Sequence, residues 1–263
     1  MELAERWDRE LDGVPGEVSI QLRTADGVPV AGLRPAAPHY AASTMKLAVL
    51  VAALTGGCFG PDTELHVHDT FPSALGGTFT IRQADDQDDA TWRRLGAMVP
   101  APALLERMIA DSGNLATNLV LERLGLDPVR AVHPGVTVNR LIGDQAAEAA
   151  GITNTVTAAG LSGLLAALAA GALLPRAATD AALAVLAGQR HRRMIPAGLP
   201  PHVWSASKGG WTGAVNHDVA LVRPGGAPAY VLAVCTSTGL DADAERLIAR
   251  LSAVTWAHWT AAA

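Results

Sequence analysis

Along this chain the spacing of apolar positions changes between the ends and the middle. Near the start, "EVSIQLRT" alternates Val18, Ile20 and Leu22 with polar neighbours, the period of a half-buried strand, and "ADG" then turns into "VPVAGL", so a strand hairpin is expected. Near the end, "HDVALVRPGGAPAYVLAVCTST" holds two more strand patterns around Pro224-Gly225-Gly226. A helix should follow from about Asp241 to His258, with Leu247, Leu251 and Val254 on one face and Asp241 as its N-cap. Between these ends the period is helical: Pro102 to Ala110, Leu115 to Leu124, Thr157 to Ala170 and Thr179 to Ala187, with Gly125, Gly171 and Gly188 where helices should stop. The pattern predicts a sheet-containing α/β subdomain from residues 1–42 and 195–263, a helical subdomain from 43–194 inserted into it, and a ligand site in the cleft between them.

One helix departs from the amphipathic pattern. In "AASTMKLAVLVAALTGG" the residues Met45, Leu47, Ala48, Val49, Leu50, Val51 and Leu54 leave no polar face, so this helix should be central rather than peripheral. Its first turn nevertheless carries Ser43 and Lys46, whose i, i+3 spacing puts both side chains on one face. Two readings are open for this pair: a capping serine with a lysine that snorkels to water, or a nucleophile with its base. A serine hydroxyl needs a neighbour to take its proton, and a lysine can do so when burial or nearby positive charge lowers its pKa.

Composition bears on that choice. Of 20 Lys and Arg residues only Lys46 and Lys208 are lysine, so arginine serves wherever a plain positive charge is wanted. Arginine does not release its proton at working pH, whereas a desolvated lysine does, which marks both lysines as candidates for chemistry. A length of 263 residues at 49% hydrophobic content provides a substantial core. A formal charge of −5 with dispersed arginines offers no basic stripe, so nucleic acid is not expected as a partner. The apolar runs fall short of the roughly 20 residues that cross a bilayer, so no membrane association is expected. The charged start "MELAERWDREL" has no secretory pattern, which favours a cytoplasmic location. Cys58 and Cys235 stand far apart, and two reduced core thiols are the default.

Two further segments hold candidate chemistry. Lys208 lies where the strand-like "HVWSASK" runs into Gly209 and Gly210, and glycines there permit close approach of another backbone or a ligand. Ser112-Gly113-Asn114 forms a kink between two helical patterns, where Ser and Asn also occur simply as caps.

Taken in order, Ser43-Thr44-Met45-Lys46, Ser112-Gly113-Asn114 and Lys208-Gly209-Gly210 resemble the Ser-x-x-Lys, Ser-Asp-Asn and Lys-Thr-Gly signatures of the class A β-lactamase and penicillin-binding protein superfamily. The surrounding text "LLERMIADSGNLATNLVLERLG", "NTVTAAGLSGLLAAL" and "HDVALVRP" extends the resemblance over roughly residues 15 to 260. The resemblance implies an α+β fold of the β-lactamase/transpeptidase type, with an antiparallel sheet flanked by helices and an inserted helical subdomain. It also implies a serine hydrolase working through an acyl-enzyme on a small-molecule substrate, with no metal or other cofactor. Ser43 is then the nucleophile, Lys46 the general base, Ser112 the donor to the leaving group, and Lys208 the positive charge that docks an anionic substrate. The amides of Ser43 and Trp211, beside Gly210, form the oxyanion hole, and Asn114 binds the acyl amide.

This sequence departs from the family pattern at three places. Gly113 stands where the family has a structural aspartate, and Gly209 where it has a hydroxyl that holds the carboxylate of β-lactams. Counting back from Asn154, the water-activating glutamate of class A enzymes falls near Leu141 to Gly143, where no carboxylate stands; Asp144 and Glu148 are the nearby candidates. An ester, amide or lactam hydrolase with poor penicillin turnover is therefore favoured. A β-lactamase with a relocated carboxylate and a silent ligand-binding or sensor domain are the alternatives. Of the remaining features, His66 and His68 are two potential ligands without a third. "DDQDD" (Asp85 to Asp89) and "RHRRM" (Arg190 to Met194) are expected to be solvated, and Trp204 and Trp211 flank the third motif.

Overall fold

The computed structural model describes residues 2–261. Its main sheet contains β1 (Glu17–Thr24), β2 (Pro29–Leu33), β3 (Trp204–Trp211), β4 (Asn216–Arg223) and β5 (Tyr230–Ser237), antiparallel and in the spatial order β3-β4-β5-β1-β2. The principal helices are α1 (Leu3–Glu10), α2 (Lys46–Thr55), α3 (Ala101–Ala110), α4 (Asn114–Leu124), α5 (Ala158–Ala169), α6 (Arg176–Ala187) and α7 (Ala242–Ala261). Short strands and single helical turns link them.

Apart from the exposed edge strand β2, the sheet is buried on both faces, and strand alternation divides its side chains between two cores. Ile20, Leu22, Ala220, Val222, Leu232 and Val234 face α1 and α7, where Trp7, Leu247, Ile248 and Leu251 complete one core. The Trp7 indole N–H donates to Thr255 Oγ1 at 3.0 Å and ties those two helices together. Val219, Leu221, Val231, Ala233 and Cys235 turn the other way, into the core of the helical layer. There α5 lies across β1, β4 and β5. A helix that is apolar all round must be enclosed, and α2 is buried from Lys46 to Ala53 among α3, α4, α5 and α6.

Several boundaries differ from the sequence reading. Gly125 and Gly171 do end helices in the left-handed region, at φ 78° and 71°, but Gly188 ends α6 at φ −76°. The first turn of α6 starts at Arg176 and is rich in alanine, which gave no amphipathic signal. Asp241 precedes α7 at φ 48°, and its backbone carbonyl, rather than its carboxylate, receives the amides of Ala244 and Glu245. Only Cys235 is a core thiol; Cys58 is exposed on the loop that follows α2. Among the described residues no helix is long and apolar enough to cross a membrane.

Candidate active site

Ser43 sits in a 3-10 turn, Ala42–Met45, that runs directly into α2 at Lys46; the turn opens at Ala42 with φ 44°. The α-helix proper therefore begins at Lys46 rather than at Ser43. β3 passes against this turn and continues through both glycines to Trp211. A Cβ on Gly210 would lie 2.6 Å from the Ser43 nitrogen and 2.7 Å from that of Thr44, so only glycine lets the two backbones meet.

Ser112 occupies the corner between α3 and α4 at φ 61°, an uncommon conformation for a residue with a side chain. Lys46 Nζ donates to the Ser112 carbonyl at 2.5 Å, to Asn114 Oδ1 at 2.9 Å and to Ser112 Oγ at 3.4 Å. From the opposite side Lys208 Nζ donates to the same Ser112 Oγ at 3.1 Å and to the Gly209 carbonyl at 2.6 Å. Both lysines are 0% exposed, which removes the snorkelling reading for Lys46.

Burial followed by the charge of Lys208 holds Lys46 well below the ordinary lysine pKa, against the opposing influence of Asp86 and Asp88. Burial also lowers Lys208, to about 7, with Asp218 opposing. Two ammonium groups flanking one hydroxyl repel each other, and the charge of Lys208 disfavours a second charge on Lys46. A neutral Lys46 keeps two N–H donors and gains a lone pair.

Of the acidic run expected to be solvated, Asp85, Gln87 and Asp89 are exposed, but Asp86 and Asp88 are built into this site. Asp86 caps α4: its Oδ1 accepts the Asn114 amide at 2.7 Å, and its Oδ2 accepts the Leu115 amide and the Trp92 indole, each at 2.8 Å. The Asp85 carbonyl accepts Asn114 Nδ2 at 2.8 Å, which leaves Asn114 Oδ1 turned to Lys46. Asp88 is buried. These partners lie more than twenty residues away in the chain, so local composition could not announce them.

The arginines of the basic stretch are exposed, as expected, yet each has a partner. Arg190 pairs with Asp111, Arg192 donates to Ser205 Oγ at 2.8 Å, and Arg193 pairs with Glu245 at 3.0 Å. The His191 ring lies 4.8 Å from that of Trp211. Met194 is buried, and its methyl sits 2.7 Å from where a Cβ on Gly209 would be. Trp204 lies further up β3 with the Arg223 guanidinium 4.1 Å over its ring. His66 and His68 stack at 5.9 Å, and His68 pairs with Glu122 at 2.8 Å.

Both acidic candidates in the 139–157 loop are already engaged. Asp144 is 0% exposed; its Oδ1 accepts Ser73 Oγ and the Ala147 amide, and its Oδ2 accepts the Ala74 amide. Glu148 pairs with Arg140 at 2.8 Å. Asn154 Oδ1 receives the amides of Asn139 and Arg140 and draws the two ends of the loop together. Between this loop and Asn114 opens a cavity of about 340 Å³, walled by Phe79, Ile81, Arg82, Ile142 and Gln145.

A buried lysine three residues after a serine, joined through a second serine to another buried lysine, is the arrangement of an acyl-transfer enzyme. The chain belongs to the β-lactamase enzyme family, whose model matches residues 2–259. It is a serine hydrolase of the β-lactamase superfamily. Among solved structures it shares its fold with a β-lactamase from Xanthomonas campestris pv. campestris, at 21% identity and a TM-score of 0.81 over 96% of each chain. PBP-A is similar at 20% identity and a TM-score of 0.80, covering 97% of this chain and 95% of the other; a point mutant of that protein was solved as an acyl-enzyme complex with penicillin G. A class A β-lactamase from Mycobacterium abscessus aligns at 17% identity and a TM-score of 0.80, covering 98% and 99%. No curated protein sequence matches the chain significantly.

Proposed function

We propose that the chain hydrolyses a small ester, amide or lactam through an acyl-enzyme on Ser43 and turns penicillins over poorly. The observation that carries the reading is the single hydrogen-bonded chain from Lys46 through Ser112 to Lys208, with Gly210 pressed against the amide of Ser43. As Ser43 Oγ attacks the carbonyl carbon, neutral Lys46 takes its proton. The oxygen that becomes negative accepts the amides of Ser43 and Trp211. When the tetrahedral intermediate collapses, the leaving group takes the proton of Ser112 Oγ–H, and the Lys46 ammonium replaces it. Lys46 is then neutral again, ready to take a proton from water in the second half-reaction while Ser43 recovers its own.

Lys208 keeps the far side of Ser112 positive and docks an anionic group of the substrate. Asn114 binds the acyl amide, whose substituent enters the cavity of about 340 Å³. Two observations favour poor penicillin turnover. Asp144 and Glu148 are committed to structural partners, which leaves the 141–143 segment without a free carboxylate to activate water. At Gly209 the space of a carboxylate-binding hydroxyl holds the buried methyl of Met194.

The test is intact mass after exposure to penicillin G and to a fluorophosphonate, with steady-state rates on p-nitrophenyl esters. A single persistent adduct that is lost in Ser43→Ala, with ester turnover, is expected. A labelled Ser43→Ala protein would sink the nucleophile assignment, and rapid penicillin turnover would sink the substrate assignment.

A further inference from the structure

Gly113 does not need to be glycine for its backbone. It sits at φ −58° and ψ 125°, which any residue adopts. What it lacks is room: a Cβ there would lie 3.0 Å from Asp88 Cβ and 3.1 Å from Asp88 Oδ2. The side-chain space of residue 113 is filled by a carboxylate from a segment 25 residues earlier.

That carboxylate is built into the corner rather than solvated. Its side chain is 1% exposed, Oδ1 accepts the amides of Ala90 at 3.0 Å and Thr91 at 3.4 Å, and Oδ2 accepts the Thr91 hydroxyl. Arg107 lies 3.5 Å from Asp88 and 3.3 Å from Asp111, so it links the carboxylate to the end of α3. The Gly113 amide in turn donates to the Arg107 carbonyl at 3.1 Å, and the Gly113 carbonyl accepts Thr117 Oγ1 at 2.5 Å. Ser112, whose carbonyl and hydroxyl hold the two lysines, is the next residue in this frame.

We infer that Asp88 is the positioning residue of the Ser112–Gly113–Asn114 corner, a buried carboxylate supplied from a separate segment into the place of a missing side chain at 113. The inference rests on the acyl-enzyme reading for its effect on rate and on packing alone for the pairing of 88 with 113. Positions 88 and 113 then share one carboxylate between them. Either site can carry it, and two carboxylates at once collide.

The experiment is a double-mutant cycle of Asp88→Ala, Gly113→Asp and the double variant, read by thermal unfolding midpoint and by the rate of Ser43 labelling with a fluorophosphonate. Each single variant should melt lower than wild type, and Asp88→Ala should label about 10²-fold more slowly, the cost of misplacing a catalytic group by about 1 Å. The double variant should recover most of both losses. A merely structural Asp88 would not be rescued in labelling rate by a carboxylate at 113. Native-rate labelling of Asp88→Ala, or a double variant no better than Asp88→Ala in either readout, overturns the inference. If Asp88→Ala does not fold alone, the double variant decides: a folded Asp88→Ala/Gly113→Asp protein that labels faster than Gly113→Asp alone is required, and a double variant that also fails to fold overturns the pairing. If wild type fails to label at all, the acyl-enzyme reading falls while the melting cycle still decides the pairing.

Discussion

Changing Gly210 to alanine inserts one methyl at the point where β3 meets the Ser43 turn. That methyl would lie 2.6 Å from the Ser43 nitrogen, 2.7 Å from the Thr44 nitrogen and 3.1 Å from the Ser43 carbonyl carbon. All three are backbone atoms and none can rotate away, so the strand and the turn must part. Ordinary contact begins near 3.4 Å, so most of an ångström of separation is forced. In the proposed mechanism this is the place where the amides of Ser43 and Trp211 converge on one oxygen, and such donors work only within about 3 Å of it. Losing one of them costs about 3 kcal/mol, or about 10²–10³ in rate. The assay is the second-order rate of Ser43 labelling followed by intact mass, with kcat/KM on a p-nitrophenyl ester and a circular-dichroism melt to confirm folding. A folded Gly210→Ala protein that labels at the native rate would refute the placement of the oxyanion hole.

Further outcomes follow from the same geometry. Lys46→Arg should be nearly inactive, because the side chain must lose a proton and arginine does not, whereas Lys208→Arg should mainly raise KM; steady-state kinetics on one ester separates the two. Burial lowers Lys208 to about 7, so KM for a carboxylate-bearing ester should rise above that pH while KM for a neutral ester stays flat, and parallel rises for both would remove its docking role. His217 is 0% exposed, accepts the Thr236 amide at Nδ1 and donates from Nε2 to the Tyr40 carbonyl, and burial lowers it from 6.5 to about 4. Between those values the unfolded chain binds the extra proton, so stability falls as pH drops from about 6.5 to about 4, by about 3 kcal/mol; urea midpoints should show this loss reduced in His217→Gln. Gly209→Thr alone should unfold earlier because of Met194, while Gly209→Thr with Met194→Ala should melt near wild type and bind a carboxylate-bearing substrate more tightly, as judged by KM.

The residues that converge in the cleft were legible because their chemistry is scarce in this chain: a sequence that uses lysine only twice buries both on one serine. The strands were legible from "EVSIQLRT", whose Val18, Ile20 and Leu22 face one core, and from "HDVALVRP", whose apolar residues divide between two cores, while the fold class was legible in the family resemblance. What supports those groups was not legible. Asp86, Asp88 and Met194 act through contacts with residues distant in the chain, and nothing in "DDQDD" or "RHRRM" distinguishes a docked charge from a solvated one. The 3-10 turn at Ser43 was hidden for a different reason: an apolar run looks the same whether its first turn is α or tighter. Gly113 and Gly209 read as losses in one dimension, and in three dimensions the space at each is filled by another side chain, polar in one case and apolar in the other.

The pairing of β1 with β5, Glu17 opposite Ser237 through Thr24 opposite Tyr230, also bears on how the molecule is made. On the ribosome, β1 emerges early and has no partner on that edge until nearly the whole chain has followed it. Lys208 and Gly210 lie on β3, which reaches the sheet only through β4 and β5. The nascent protein therefore carries Ser43, Lys46 and Ser112 for most of its synthesis without the strand that brings Lys208 to Ser112 and Gly210 to Ser43. Closing so distant a contact is slow, so the proposed site is assembled only when the last strands are in place.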